Sequence, residues 1–134
     1  MSKKIVCLII SLVIIISLCS FSEDSSGDNP RYNYTNTCRS SLYISGLDGE
    51  CISYLLGYSG ITTKIVVKQY LQVRDGNRWR TSQYWTNTYY SYHASFVNDR
   101  TLYSGNTYRV YSEFTVYSGS NYENVYAYST THTV

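Results

Sequence analysis

Four cysteines, two histidines and nine carboxylates are the residues of this 134-residue chain equipped for reactive chemistry. Their spacing offers little to build a reaction on. No H-E-x-x-H, G-x-S-x-G, P-loop or G-x-G-x-x-G pattern is present. A Cys–His nucleophile would need Cys38 or Cys51 beside His93 or His132. His132 stands two residues from the C-terminus and reads as mobile. His93 lies in a Tyr-rich strand and reads as an exposed or rim residue. A carboxylate pair for glycoside hydrolysis would draw on Asp48, Glu50, Asp75, Asp99, Glu113 and Glu123. Three of these, Asp48, Asp75 and Asp99, sit in turn contexts, where Asp bonds its own backbone. Glu113 and Glu123 would be neighbours if the last two strands pair. Two thiols are too few for structural zinc. The chain is read as non-enzymatic, with no metal and no cofactor.

Binding is the livelier prospect. Trp79, Tyr84, Trp85, Tyr89, Tyr90 and Tyr92 gather within 14 residues. Flat aromatics on a sheet stack on sugars or anchor a protein partner; alternating Trp and Tyr equally well fill a core. Arg78 and Arg80 flank Trp79 and are expected on the opposite side of its strand. Tyr is the unusual count, 17 against three Phe, which describes aromatic bulk with wet hydroxyls.

The N-terminus sorts these residues by compartment. Met1 to Lys4 carry two lysines, and Ile5 to Leu18 is a 14-residue stretch interrupted only by Cys7, Ser11 and Ser17. A membrane span needs about 20 apolar residues, so residues 1–22 read as a secretory signal peptide with cleavage after Ser20-Phe21-Ser22. Cys19, ending the apolar run, leaves a lipid-anchored alternative, although Leu18 is larger than the residue that normally precedes a lipidated cysteine. Loss of Lys3 and Lys4 takes Lys+Arg from 11 to 9 against an unchanged nine acids. A neutral mature chain gives no electrostatic case for nucleic acid or an anionic membrane, and no membrane span remains. Of the cysteines, Cys38 and Cys51 survive, and an even pair in an exported chain is a disulfide candidate. The turn at Ser45-Gly46-Leu47-Asp48-Gly49 nevertheless sets Cys51 opposite about Ile44 in a simple hairpin, so bonding would require the first strand to bend, bulge or change sheets.

Residues 23–37 are polar, contain Pro30, the chain's one proline, and read as a flexible lead-in; Asn33-Tyr34-Thr35 is a glycosylation sequon. Residues 38–134 have a period of two. Strands are predicted at 39–45, 50–58, 64–74, 78–85, 89–97, 107–117 and 122–131, with Asp75-Gly76-Asn77 as a hairpin turn. Seven short strands predict a single antiparallel, immunoglobulin/fibronectin-like β-sandwich, with an up-and-down barrel as the alternative. Leu102, Gly105 and Tyr108 match L-x-x-G-x-x-Y, the sequence form of a tyrosine corner, in which a strand hydroxyl folds back onto preceding backbone.

From Cys38 onward the chain resembles small, uncharacterised secreted proteins of Gram-positive bacteria. The resemblance rests on the Ile65–Leu71 strand with Tyr70-Leu71-Gln72, the hairpin from Trp79 to Trp85, Gly105-x-x-Tyr108-Arg109-Val110 and Glu123. Gly105 to Val110 is also similar to strand F of fibronectin type III domains. The resemblance implies export and a β-sandwich, and no reaction. The expectation is a secreted binding or cell-surface interaction module for an unknown protein or a surface polysaccharide. The alternatives are a carbohydrate-binding module using exposed Tyr and Trp, and a secreted antimicrobial or host-acting β-protein.

Overall fold

The computed structural model describes residues 32–134. The expected signal peptide, residues 1–22 with Cys19, and residues 23–31 of the expected lead-in lie outside the described residues. Among the described residues eight strands form: β1 (Thr35–Ser45), β2 (Asp48–Gly57), β3 (Lys64–Asp75), β4 (Arg78–Tyr89), β5 (His93–Thr101), β6 (Thr107–Ser118), β7 (Asn121–Tyr128) and β8 (His132–Thr133). They make two antiparallel sheets, β1-β2-β5 against β4-β3-β6-β7, with β8 pairing β6 beyond the end of β7. This is an immunoglobulin/fibronectin-like sandwich.

Three expectations about extent are corrected. The domain begins before Cys38: β1 starts at Thr35, and Tyr32 and Tyr34 pack against the core. The strand expected at 89–97 starts at His93, because β4 runs on to Tyr89 as long as β3 lies beside it. His132, expected as a loose end, lies in β8 opposite Tyr108, and the Gly105 N–H donates to the Val134 carbonyl at 2.6 Å.

The interior is two apolar clusters with a polar layer between them. Phe114, Leu55, Ile65, Val67 and Val125 anchor one cluster; Leu42, Leu71, Leu102 and Val110 anchor the other. The intervening inward positions hold Ser40, Ser53, Gln69 and Ser112, all buried. Gln69 Nε2 donates to Ser53 Oγ at 2.8 Å and to the Phe96 carbonyl at 3.1 Å, and Asn98 Nδ2 donates to Gln69 Oε1 at 2.9 Å. Ser112 Oγ lies 2.6 Å from Ser53 Oγ and 2.9 Å from Ser40 Oγ, which donates to the Val110 carbonyl at 3.1 Å. Burial of these groups is tolerable because each finds a partner.

The expected Cys38–Cys51 disulfide is not formed. A two-residue turn at Gly46-Leu47 sets Cys51 opposite Leu42 and Cys38 opposite Leu55, so Cys38 sits four positions from the residue facing Cys51. Four positions are about 13 Å along a strand, whereas bridged Cα atoms lie within about 7 Å. Both thiols point inward as small apolar groups, one in each cluster. Burial pushes Cys38 up to about 11 and Cys51 to about 12, the latter with help from the Asp99 and Glu50 carboxylates.

Two junctions tie the sheets together. At the β2–β3 crossing, a Cβ on Gly57 would fall 2.7 Å from Thr62 Cβ, so only glycine lets Thr62 approach. Thr62 Oγ1 accepts from the Tyr58 N–H at 3.0 Å and donates to the Tyr34 carbonyl at 2.6 Å. At the β5–β6 arch, the Tyr103 N–H donates to the Tyr108 hydroxyl at 3.0 Å, Leu102 is buried, and Gly105 adopts φ +86°. This is the bond that a tyrosine corner requires. Tyr108→Phe keeps the ring and strands that N–H; it is expected to cost about 1–2 kcal/mol, read as a lower urea midpoint at unchanged slope. An unchanged midpoint would show that the bond contributes nothing.

Candidate functional site

The six aromatics between Trp79 and Tyr92 do not form one site. Alternation alone would set Trp79 and Trp85 on one face. A bulge opposite Leu71–Gln72 leaves Ser82 without a register partner and inverts the phase. Trp85, opposite Gln69, therefore turns inward onto the second cluster, while Trp79, opposite Arg74, stands on the outer face. Tyr89 packs on the first cluster, its ring edge-on to Phe96 at 6.5 Å and its hydroxyl donating to the Ser95 carbonyl at 3.0 Å. Tyr90, 83% exposed, and Tyr92 occupy the β4–β5 link, where the Tyr92 carbonyl accepts the Gly57 N–H at 2.6 Å. Of the six, Trp79 and Tyr84 reach the outer face of the β4-β3-β6-β7 sheet. Arg80 faces solvent and lies 3.9 Å from Asp75.

That outer face carries an arrangement invisible in the linear sequence. Tyr84, Tyr70, Tyr111 and Tyr128 occupy one register row across β4, β3, β6 and β7. Their ring centroids are separated by 5.0, 5.5 and 4.6 Å, with interplanar angles of 40°, 25° and 17°. Strand spacing of about 4.8 Å imposes this ladder. Tyr126 stacks on Tyr111 from the next position at 6.4 Å and 12°. Because the rings face one another, the interior rungs present edges and hydroxyls to solvent rather than flat faces. The Tyr111 hydroxyl donates to Glu113 Oε1 at 2.8 Å; burial, the hydrogen bond and the carboxylate's charge all raise that phenol's pKa.

The stack continues past Tyr128. Arg109 places its guanidinium 4.5 Å from the Tyr128 ring and 4.3 Å from the Trp79 ring, and Arg74 lies over Trp79 at 5.6 Å. Arg109 Nε donates to Gln72 Oε1 at 2.8 Å. Desolvation between two rings, with Arg74 nearby, lowers the guanidinium's pKa, although it stays charged at any physiological pH. None of Tyr70, Arg74, Arg109, Tyr111, Tyr126 and Tyr128 is among the candidate binding residues that the sequence offers; Tyr70 and Arg109 enter there only through the resemblance. The signal available was weak: Tyr and Arg at the polar positions of alternating strands, meaningless until pairing puts them in line.

The reactive groups are kept apart. His93 is exposed and meets Tyr54 edge-on at 5.4 Å on the outer face of the three-stranded sheet, while both thiols point inward. Glu113 and Glu123 are on neighbouring strands but opposite faces. Glu113 points outward, and Glu123, opposite inward-facing Val116, accepts the Asn33 and Tyr34 N–H groups at 2.9 and 3.1 Å through Oε1. Glu123 thus tethers the start of β1 rather than pairing with Glu113. Glu50 and Asp99 do stand opposite one another, along a shallow cavity of about 520 Å³ bordered by Tyr43, Asp48 and Arg100. Among the described residues no three His, Cys, Asp or Glu side chains converge as a metal site, and no helix is long and apolar enough to cross a membrane. Compared with protein-family models, curated proteins and solved structures, the chain matches none.

Proposed function

We propose that this protein is a secreted, non-enzymatic binding module that engages a bacterial cell-surface partner through the outer face of β4-β3-β6-β7. The observation that carries this is the tyrosine row. Tyr84, Tyr126 and Tyr128 remain 44%, 51% and 52% exposed although each is held in a stack. Such rings give large, rigid contact area at low entropic cost and end in a hydrogen-bonding hydroxyl. A sandwich gains nothing in its core from aromatics on the solvent side, so a docking role accounts for their placement. A carbohydrate-binding role is the form of this reading that the hydroxyl-edged ladder favours.

Sedimentation of the purified protein with isolated Gram-positive cell walls tests it. Binding is expected, and Tyr84→Ser with Tyr128→Ser should weaken it at least about tenfold, the scale of removing aromatic anchors. Tyr43→Ser with Tyr103→Ser, exposed elsewhere on the molecule, should leave it unchanged. Absence of wall binding, or equal loss in both double variants, would overturn the proposal.

A further inference from the structure

Given the docking face just proposed, its ligand class follows from charge and from one guanidinium whose terminal amino groups have no protein acceptor. The outward positions of β3 and β6 carry Lys64, Lys68, Arg74 and Arg109 against the single carboxylate Glu113. The chain left after leader removal is neutral, so this face concentrates positive charge that the rest of the molecule balances. Among the described residues Arg109 forms no ion pair, and its hydrogen bonding ends at the Nε–Gln72 contact. Its two terminal amino groups are a fork with no acceptor. Gln72 and the flanking Trp79 and Tyr128 rings hold that fork in one plane, so a ligand need not order it.

We infer that this face binds an acidic polysaccharide, with the fork of Arg109 taking a uronic-acid carboxylate and the tyrosine hydroxyl row taking the hydroxyls of adjoining sugars. A planar guanidinium matches a carboxylate bidentately. The ladder selects a sugar chain over the other polyanions. Its ring faces are occupied by neighbouring rings, which removes the platforms on which nucleic-acid bases stack. Its hydroxyl edges recur every strand spacing, which suits a polymer that repeats donors and acceptors along its length. An acidic polypeptide offers the carboxylates without that hydroxyl repeat.

Affinity electrophoresis through gels containing polygalacturonate, its carboxyl-reduced neutral form, dextran sulfate or polyglutamate separates the possibilities. Retardation is expected in polygalacturonate and is expected to weaken as salt rises. Little retardation is expected in the other three gels. Arg109→Ala should reduce retardation at least tenfold. Arg109→Lys should rescue little of it, because an ammonium lacks the fork and its stacking. Tyr128→Phe keeps the sandwich and should give a smaller loss. Circular dichroism melts establish that each variant is folded, and Arg74→Ala provides a second cationic variant expected to weaken binding by a lesser factor. Equal retardation by the carboxyl-reduced polymer would overturn the role of Arg109 and leave a neutral-glycan site. Retention by dextran sulfate or polyglutamate as strong as by polygalacturonate would overturn the uronate assignment. No retardation in any gel, with row-dependent wall binding intact, would defeat this inference and leave the docking face standing.

Discussion

Between pH 9 and 12 the folded chain is expected to lose stability at about 1.4 kcal/mol per pH unit for each buried thiol that resists ionisation. In the unfolded chain both thiols ionise near the ordinary value of 9.0; in the fold burial holds Cys38 to about 11 and Cys51 to about 12. A raised folded pKa means that the folded state keeps its proton where the unfolded state has lost it. The stabilisation is therefore complete below pH 9 and drains away as pH climbs toward the folded values. The phenols of Tyr32, Tyr70 and Tyr111 are raised as well, first by burial. Unfolded tyrosines ionise only near pH 10, so the interval from 9 to 10 belongs to the thiols. Urea titrations at pH 8, 9 and 10 should show the slope, and Cys51→Ala should flatten it. A slope unaffected by Cys51→Ala would mean that the thiol does not titrate, as in a disulfide, and the strand register derived above would be wrong.

Gln69→Leu is expected to destabilise the fold by about 2–3 kcal/mol despite its added hydrophobicity. The amide sits fully buried at the centre of the polar layer and serves Ser53, Asn98 and the Phe96 carbonyl together. A leucine of similar volume takes the partner from the Phe96 carbonyl and the Asn98 amide and leaves Ser53 only its Ser112 contact, and the cost is lost hydrogen bonding at partly buried groups rather than a cavity. The matching control replaces the layer as a whole. Ser40→Ala, Ser53→Ala and Ser112→Ala combined with Gln69→Leu removes donors and acceptors together and should recover most of the loss. Additive losses across the four substitutions would show that the serines act independently, and would sink the description of the layer as one network. The layer also has a use beyond stability: a one-residue slip of β3 or β6 would carry Gln69 or Ser112 to the wrong face, so the belt pins the register that aligns the outer tyrosines.

Much of the architecture was legible in the chain. Alternation located all seven long strands, because a half-buried strand must bring every second side chain to the core and the composition records it. Leu102, Gly105 and Tyr108 marked the β5–β6 arch, because a left-handed glycine and a returning tyrosine leave a local signature.

What pairing and packing added lay beyond any local pattern. The disulfide was expected from cysteine parity, yet the turn length set the register and carried the two thiols into separate clusters. Trp79 and Trp85 have even spacing and would share a face in a regular strand; one extra residue at the bulge separates them, and nothing at Ser82 announces it. The local aromatic run from 79 to 92 contributes only Trp79 and Tyr84 to the outer face, whereas the tyrosine row draws on positions 70, 84, 111 and 128 from four strands. Residues distant in sequence become neighbours through interstrand hydrogen bonds, and each strand's own periodicity is identical whichever partner it takes. Face can be inferred from period two; row cannot, because row is set by register, and register is fixed jointly by turn lengths, bulges and the buried polar layer.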